Sequence, residues 1–378
     1  MESLNSEGVR DLLNRVQVNG SIKYIVEKVL ADIRISSDDA IYLYQKAELG
    51  LLGLLANHVN YQKNKEYVFF NKNFHIEPTN VCVHNCTFCS YRRNFGEEGS
   101  WEMSLDEIGD IAKSFKVKGV TEVHITGGVH PKWRLNYYGQ IIQRIKREVP
   151  TIHVKAFSAV ELDYIIQKEK LSIKEGLLRL KDFGLDSIPG GGAEIADTEI
   201  RETICGDKSS WKRWLEIHET AHNVGLTSNA TMLYGHIENY NHRVDHMEQI
   251  RRLQDRTKGF NCFIPLKFKA KNNKLAYIGE VNTLEDLKNF AITRIFLDNF
   301  NHIKAYWPML GKQTAQLALF FGVDDIDGTI DDSTRIYSMA GADDANPTMT
   351  VEEICKLIRK TGKIPLERNS LYNPIKIY

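Results

Sequence analysis

The chain has 378 residues, 42% of them hydrophobic, and its Lys+Arg and Asp+Glu counts balance at 49 each. That length is long for one ordinary domain yet normal for an α/β barrel, and the balanced charge gives no global field for nucleic acid or an anionic membrane. The longest apolar run, LGLLGLLA at 49–56, falls far short of the ~20 residues needed to span a bilayer. The opening MESLNSEGVRDLLNR shows no secretory pattern. Cys205, Cys262 and Cys355 are scattered without a disulfide framework. A cytoplasmic protein with no nucleic-acid or membrane partner is expected.

In chain order, residues 1–66 read as an N-terminal helical extension. Helices across 21–62 include a capping-box start, Ser36 and Asp39, ahead of the periodic apolar positions Ile41, Tyr44, Leu49 and Leu52. From 67 to 330, short β-rich runs alternate with amphipathic stretches. The runs lie at 74–81, 122–127, 153–158, 186–189, 227–233, 260–268, 303–307 and 318–323. Helix-like segments between them include 104–116, 172–183, 211–224, 243–254 and 283–299. Strict βα alternation means parallel strands, and eight units can close a (βα)8 TIM-type barrel. An open doubly wound sheet fits the same alternation, although no GxGxxG follows the first run. Residues 331–378 form a tail packed on the barrel. It holds a polar, loop-like stretch at 331–347, then a helix opened by Thr350 and Glu353 and running to Arg359.

The stretch 74–93, FHIEPTNVCVHNCTFCSYRR, organises the rest. Cys82, Cys86 and Cys89 are spaced C-x3-C-x2-C after the first run. Thiolates bind soft metals, and iron–sulfur clusters are held mainly by cysteine. A structural zinc site completed by His75 or His84 competes with this reading, as do three unrelated buried thiols. No second CxxC or HxxxH lies nearby, and three of the chain's six cysteines stand within eight residues. This spacing, with Phe88 before the last cysteine, resembles the radical S-adenosylmethionine (SAM) enzymes. The resemblance implies a radical SAM barrel and a [4Fe–4S] cluster held by Cys82, Cys86 and Cys89. It leaves the fourth iron to SAM, a consumed co-substrate, with an electron donor such as flavodoxin or ferredoxin.

Chemistry in a parallel barrel belongs at the carboxyl ends of the strands, and unusual residues collect there. Thr126, Gly127 and Gly128 end the second run. The resemblance implies that this glycine pair contacts the methionine amino group of SAM. Ser158 and Glu161 end the third, where a hydroxyl and a carboxylate either hold the ribose or sulfonium end of SAM or cap a helix. Gly191, inside a run of three glycines, would let a planar ligand pack on bare backbone. Asn229 and Thr231, with His236 beyond, make the fifth strand polar where a packed core would be aliphatic, which points to a lined cavity.

PGGGAEI, SNATMLYGHIE, KAYWPMLG, GVDDIDGTI and GKIPLERNSLYN narrow the resemblance to the aminofutalosine synthase family, over about 35–373. That resemblance implies addition of the 5′-deoxyadenosyl radical to 3-[(1-carboxyvinyl)oxy]benzoate, aryl migration and decarboxylation, giving 6-amino-6-deoxyfutalosine for menaquinone biosynthesis. A dehypoxanthine futalosine cyclase-like or deazaflavin (FO) synthase-like radical enzyme is the alternative. A non-catalytic iron–sulfur or zinc protein is the alternative of another class. A small aromatic dicarboxylate needs cationic or N–H donors beside apolar walls. His236, Arg294, Lys267 and the glycine-run backbone are candidate donors, Tyr306 and Trp307 a candidate wall, and His236 and Glu161 the candidate catalytic residues. His218-Glu219-Thr220-Ala221-His222 matches the HExxH zinc signature. Its histidines continue the stripe of Trp211, Trp214 and Leu215, so they are expected to pack an outer helix on the barrel. Asp324, Asp325 and Asp327 are expected to hold loops or contact substrate.

Overall fold

The computed structural model describes residues 8–11, 20–330, 335–341 and 347–378. Most of the loop-like stretch at 331–347, and most of the opening MESLNSEGVRDLLNR, lies outside them. After a helical turn at 8–11, the described residues run through α1 (Gly20–Leu30), α2 (Ser37–Lys46) and α3 (Leu49–Asn64). Ser36 accepts from the Asp39 backbone N–H while the Asp39 carboxylate accepts from that of Ser36, the reciprocal cap read in the sequence.

A long strand then breaks at Lys72 into β1 (Tyr67–Asn71) and β2 (Asn73–Ile76). From β2 the chain alternates strand and helix through β3 (Glu122–Ile125), β4 (His153–Ala156), β5 (Ser187–Ile188), β6 (Thr227–Tyr234) and β7 (Phe260–Lys267). These six strands are hydrogen-bonded in sequence order and all parallel. The helices used below are α4 (Ala159–Lys168), which follows β4, and α5 (Trp211–Asn223), which precedes β6. Beyond β7, single parallel bridges at Ile303 and Lys304 lead to β8 (Asp325–Gly328). Thr329 then ties β8 back to β2: its Oγ1 donates to the Asn73 carbonyl at 2.9 Å and accepts from the Asn73 N–H at 3.1 Å. The ring therefore has eight staves, two of them short.

The last two staves differ from the sequence expectation. At 303–307 only Ile303 and Lys304 bridge, because Trp307 opens a short helix, α6 (Trp307–Leu310), with Pro308 in its first turn. The apolar run at 318–323 is not a strand. It is the end of a helix, α7 (Lys312–Ala318), and the turn after it, and Ala315, Ala318 and Leu319 are buried. The true eighth strand reads DIDG, whose acidic side chains hide it from a hydrophobic pattern.

The tail carries the expected helix, α8 (Val351–Arg359), with its Thr350–Glu353 cap. It also carries two strands. β9 (Ile364–Arg368) runs parallel to β1, and β10 (Pro374–Ile377) runs antiparallel to β9. Among the described residues no helix is long and apolar enough to cross a membrane.

Candidate active site

The inward side chains leave a cavity of about 660 Å³, counted to its open mouth. Every stave contributes to its wall, and most of those residues are polar. Strand periodicity is the cause. Along β2 and β3, Asn73, His75, Glu122, His124 and Thr126 point inward while Phe74, Ile76, Val123 and Ile125 are buried between the barrel and its helices. Ile264 and Leu266 from β7, with Tyr306, supply an apolar side.

The charges in the wall are paired. Lys155 Nζ lies 2.7 Å from Glu122, and Lys304 Nζ lies 2.8 Å from Asp327. Below them Arg368 meets Asp325 at 2.6 Å. Burial pushes the Glu122 carboxyl up, but Lys155, Lys304, His153 and Arg368 outweigh it and hold the group well below the usual range. The same balance, with Asp327 and Asp325 as partners, keeps Lys304 charged. Burial, reinforced by His75 and Lys155, holds His124 neutral. The Nε2 atoms of His75 and His124 are buried and have no hydrogen-bond partner among the described residues.

Over the strand ends lies the loop at 77–103 with the three cysteines. Cys86 is buried, and Cys82 and Cys89 are half-buried. The loop is stitched to its surroundings by backbone. Cys82 N–H donates to Arg93 at 3.1 Å, Val83 to Val129 at 3.0 Å and Thr87 to Ile204 at 2.8 Å. Gly128 N–H donates to the Thr79 carbonyl at 2.7 Å. A Cβ on Gly127 would stand 2.6 Å from that carbonyl oxygen, and one on Gly128 2.2 Å from that of Val81. The bare faces of both glycines are thus pressed against the cysteine loop.

Burial pushes the Cys82 thiol up, and the Cys86 thiol up to about 12. Lys208 opposes the shift in both. Lys208 pairs with Glu194 at 2.6 Å and lies 5.0 Å over the Phe88 ring. Among the described residues no three His, Cys, Asp or Glu side chains already converge on a metal-sized point.

Ser158 and Glu161 form the cap of α4. Glu161 accepts from the Ser158 N–H and Oγ at 2.7 Å each and from Thr126 Oγ1 at 3.2 Å. Burial raises its carboxyl to about 7 against these bonds. Thr126, Gly191, Asn229 and Tyr306 border the cavity, as does Asp327. The other candidates are engaged elsewhere. His236 sits 3.3 Å from Glu238 and 3.1 Å from the Leu233 carbonyl, outside the cavity wall. Lys267 pairs with Asp286 at 2.8 Å, and Arg294 is buried on Asp324 and the Gly322 carbonyl. Trp307 Nε1–H donates to the Gly328 carbonyl at 3.1 Å.

The HExxH histidines are packing residues on α5. His218 Nδ1 and His222 Nε2 lie 2.8 and 2.7 Å from Ser228 Oγ, near the start of β6, and the His218 ring packs 3.8 Å from that of Trp214, tilted by 37°. Glu219 faces outward to Arg256.

The Radical SAM superfamily model matches residues 76–250, and the model of the CofH/MqnC C-terminal region matches 257–378. Aminodeoxyfutalosine synthase of Thermus thermophilus is 43% identical over 361 residues, 94% of this chain and 96% of that protein. The chain belongs to the radical SAM superfamily. It is an enzyme, a radical SAM transferase. Aminodeoxyfutalosine synthase of Streptomyces coelicolor is 39% identical, covering 95% of each chain. The fold matches the crystal structure of methylornithine synthase with a TM-score of 0.72 at 16% identity, over 90% of this chain and 97% of that one.

Membership implies a [4Fe–4S] cluster and SAM, and the donor set suits them. Three soft thiols stand within eight residues on one loop, Cys86 buried and the other two half-buried, and metal binding takes the protons that burial otherwise retains on Cys82 and Cys86. Sequence reasoning missed Glu122, His124, Lys155 and Lys304. Their signal was polar residues at period two within strand runs, which in a parallel barrel means a lined interior.

Proposed function

We propose that this radical SAM enzyme transfers the 5′-deoxyadenosyl group of SAM to 3-[(1-carboxyvinyl)oxy]benzoate. With aryl migration, uptake of water and loss of bicarbonate, this yields 6-amino-6-deoxyfutalosine and methionine, a step of menaquinone biosynthesis. The observation that carries it is the cavity beneath the three-cysteine loop, whose polar donors beside the apolar side of Ile264, Leu266 and Tyr306 suit a small aromatic acid. Near-full-length identity to two aminodeoxyfutalosine synthases supports the choice of reaction.

In this reading Cys82, Cys86 and Cys89 hold the cluster, which when bound supplies the electron that cleaves SAM. A low-potential donor such as flavodoxin or ferredoxin would reduce it before the first turnover, since the overall conversion is redox-neutral, and the cytoplasm is the proposed setting. Gly127 and Gly128 set the height of the loop above the barrel. Thr126, Gly191 and Asn229 form the edge on which SAM meets substrate. Ser158 and Glu161 hold that edge through Thr126, and His236 with Glu238 fixes the turn after β6. Ile264, Leu266 and Tyr306 take the aromatic ring and exclude water from the reacting carbons.

The test is anaerobic reconstitution followed by SAM, dithionite and the enol-ether benzoate, read by mass spectrometry. An adenosyl adduct that has lost one carboxylate is expected. Free 5′-deoxyadenosine without an adduct would favour hydrogen abstraction, as in a cyclase, and sink the adenosyl-transfer reading.

A further inference from the structure

His75, His124 and Lys155 are direct register partners on three adjacent parallel strands, His75 opposite His124 and His124 opposite Lys155. All three border the cavity. The two imidazole rings lie 4.7 Å apart at 76° to each other, edge to face. Both Nε2 atoms are buried without a hydrogen-bond partner among the described residues. An unmade hydrogen bond at a buried nitrogen is costly, so where two such atoms border one cavity a water or a ligand group is held there. The remaining charges of the wall are already neutralised in pairs, Lys155 with Glu122 and Lys304 with Asp327. A carboxylate entering this cavity therefore meets neutral donors, and the two imidazoles are the pair that stand side by side in one row, with the Lys155 ammonium next.

Depth selects which carboxylate. His124 precedes Thr126 by two residues, which places its row ~7 Å further into the barrel than the turn under the cysteine loop. The end of the substrate that reacts must face that loop, so the end in the row is the remote one. Tyr306 lies parallel to His75, ring centroids 6.4 Å apart, and with Ile264 and Leu266 forms the wall an aryl ring would cross to get there.

We propose that the row His75–His124–Lys155 is the recognition site for the aryl carboxylate of the substrate. This rests on the dicarboxylate reading above. The imidazoles donate from Nε2 to the two carboxylate oxygens, and the row sets how far the substrate descends. The vinyl carbon is thereby held at the mouth. These are positioning residues and take no part in bond making.

The experiment is isothermal titration of the cluster-loaded, SAM-bound, unreduced enzyme, which binds without turning over. Three probes are used: the diacid, 2-phenoxyacrylate (no aryl carboxylate) and 3-(vinyloxy)benzoate (no vinyl carboxylate). Wild-type enzyme is expected to prefer the diacid over 2-phenoxyacrylate by tenfold or more. His75→Leu and His124→Leu should abolish that preference while keeping the preference over 3-(vinyloxy)benzoate. His124→Gln, which retains an N–H donor, should restore part of it and serves where the leucine variants fold poorly. A preference for the diacid over 2-phenoxyacrylate that survives in the histidine variants overturns the row's role alone. So does a loss confined to the vinyl carboxylate. Wild-type enzyme that binds none of the probes overturns the dicarboxylate reading and the row with it.

Discussion

Lys155 Nζ stands 2.7 Å from a Glu122 carboxylate oxygen, with both side chains enclosed at the third and second staves of the barrel. Desolvating two charges costs as much as their attraction returns, so such a pair adds little net stability, but breaking it strands a charge. Lys155→Met should therefore lower the unfolding free energy by about 3–5 kcal/mol. The double variant Glu122→Gln/Lys155→Met should recover much of that loss. Urea unfolding of the three proteins checks this, and equal losses in the single and double variants would contradict it.

Glu161 gives a pH signature. Its carboxyl is raised from the ordinary 4.5 to about 7, by burial against hydrogen bonds from Ser158 and Thr126. Between those values the unfolded chain has released the proton that the folded chain keeps, so stability falls as pH rises through this window and is level above it. Glu161→Gln removes the titration. Each tenfold difference in proton affinity between the folded and unfolded chain is worth ~1.4 kcal/mol, so relative to wild type the variant should gain about 3 kcal/mol between pH ~4.5 and ~8. Unfolding midpoints across that range measure it, and parallel curves for the two proteins would refute it.

The glycines after the second and fourth staves are expected to differ. A methyl on Gly128 meets the Val81 carbonyl at 2.2 Å, whereas on Gly191 its nearest neighbour is Ser158 Cβ at 3.6 Å, an ordinary contact. Gly128→Ala should displace the cysteine loop, cost about 1–3 kcal/mol and lower iron uptake on anaerobic reconstitution. Gly191→Ala should take up iron normally. Iron analysis and thermal melts of the two variants decide it, and equal iron content would contradict a role for Gly128 in seating the loop.

What was legible in the sequence was whatever is local. The C-x3-C-x2-C spacing, the caps at Ser36 and Thr350, and the stripe on α5 each depend on residues a few positions apart. The eighth stave was missed because its inward carboxylates are satisfied by residues distant in the chain. Asp325 meets Arg368 and Asp327 meets Lys304, so DIDG reads as a loop until those partners are seen. Arg294 shows the converse. Its charge suggested a substrate donor, but Asp324, far along the chain, already claims it. Ser158 and Glu161 allowed a cap or a ligand contact, and the fold uses them as a cap that also anchors Thr126.

The claim that the chemistry resides at the thiol loop above the cavity is tested most directly by one anaerobic turnover assay on two variants, Cys86→Ala and His218→Gln, with iron and zinc counted in each. Cys86→Ala removes a ligand that no neighbouring group can replace with equal softness, and its turnover should vanish. His218→Gln disturbs a buried contact to Ser228 beneath Trp214. It should lose ~1–2 kcal/mol of stability while its folded fraction keeps its iron and most of its turnover. An active Cys86→Ala protein beside an inactive, iron-replete His218→Gln protein would contradict the account.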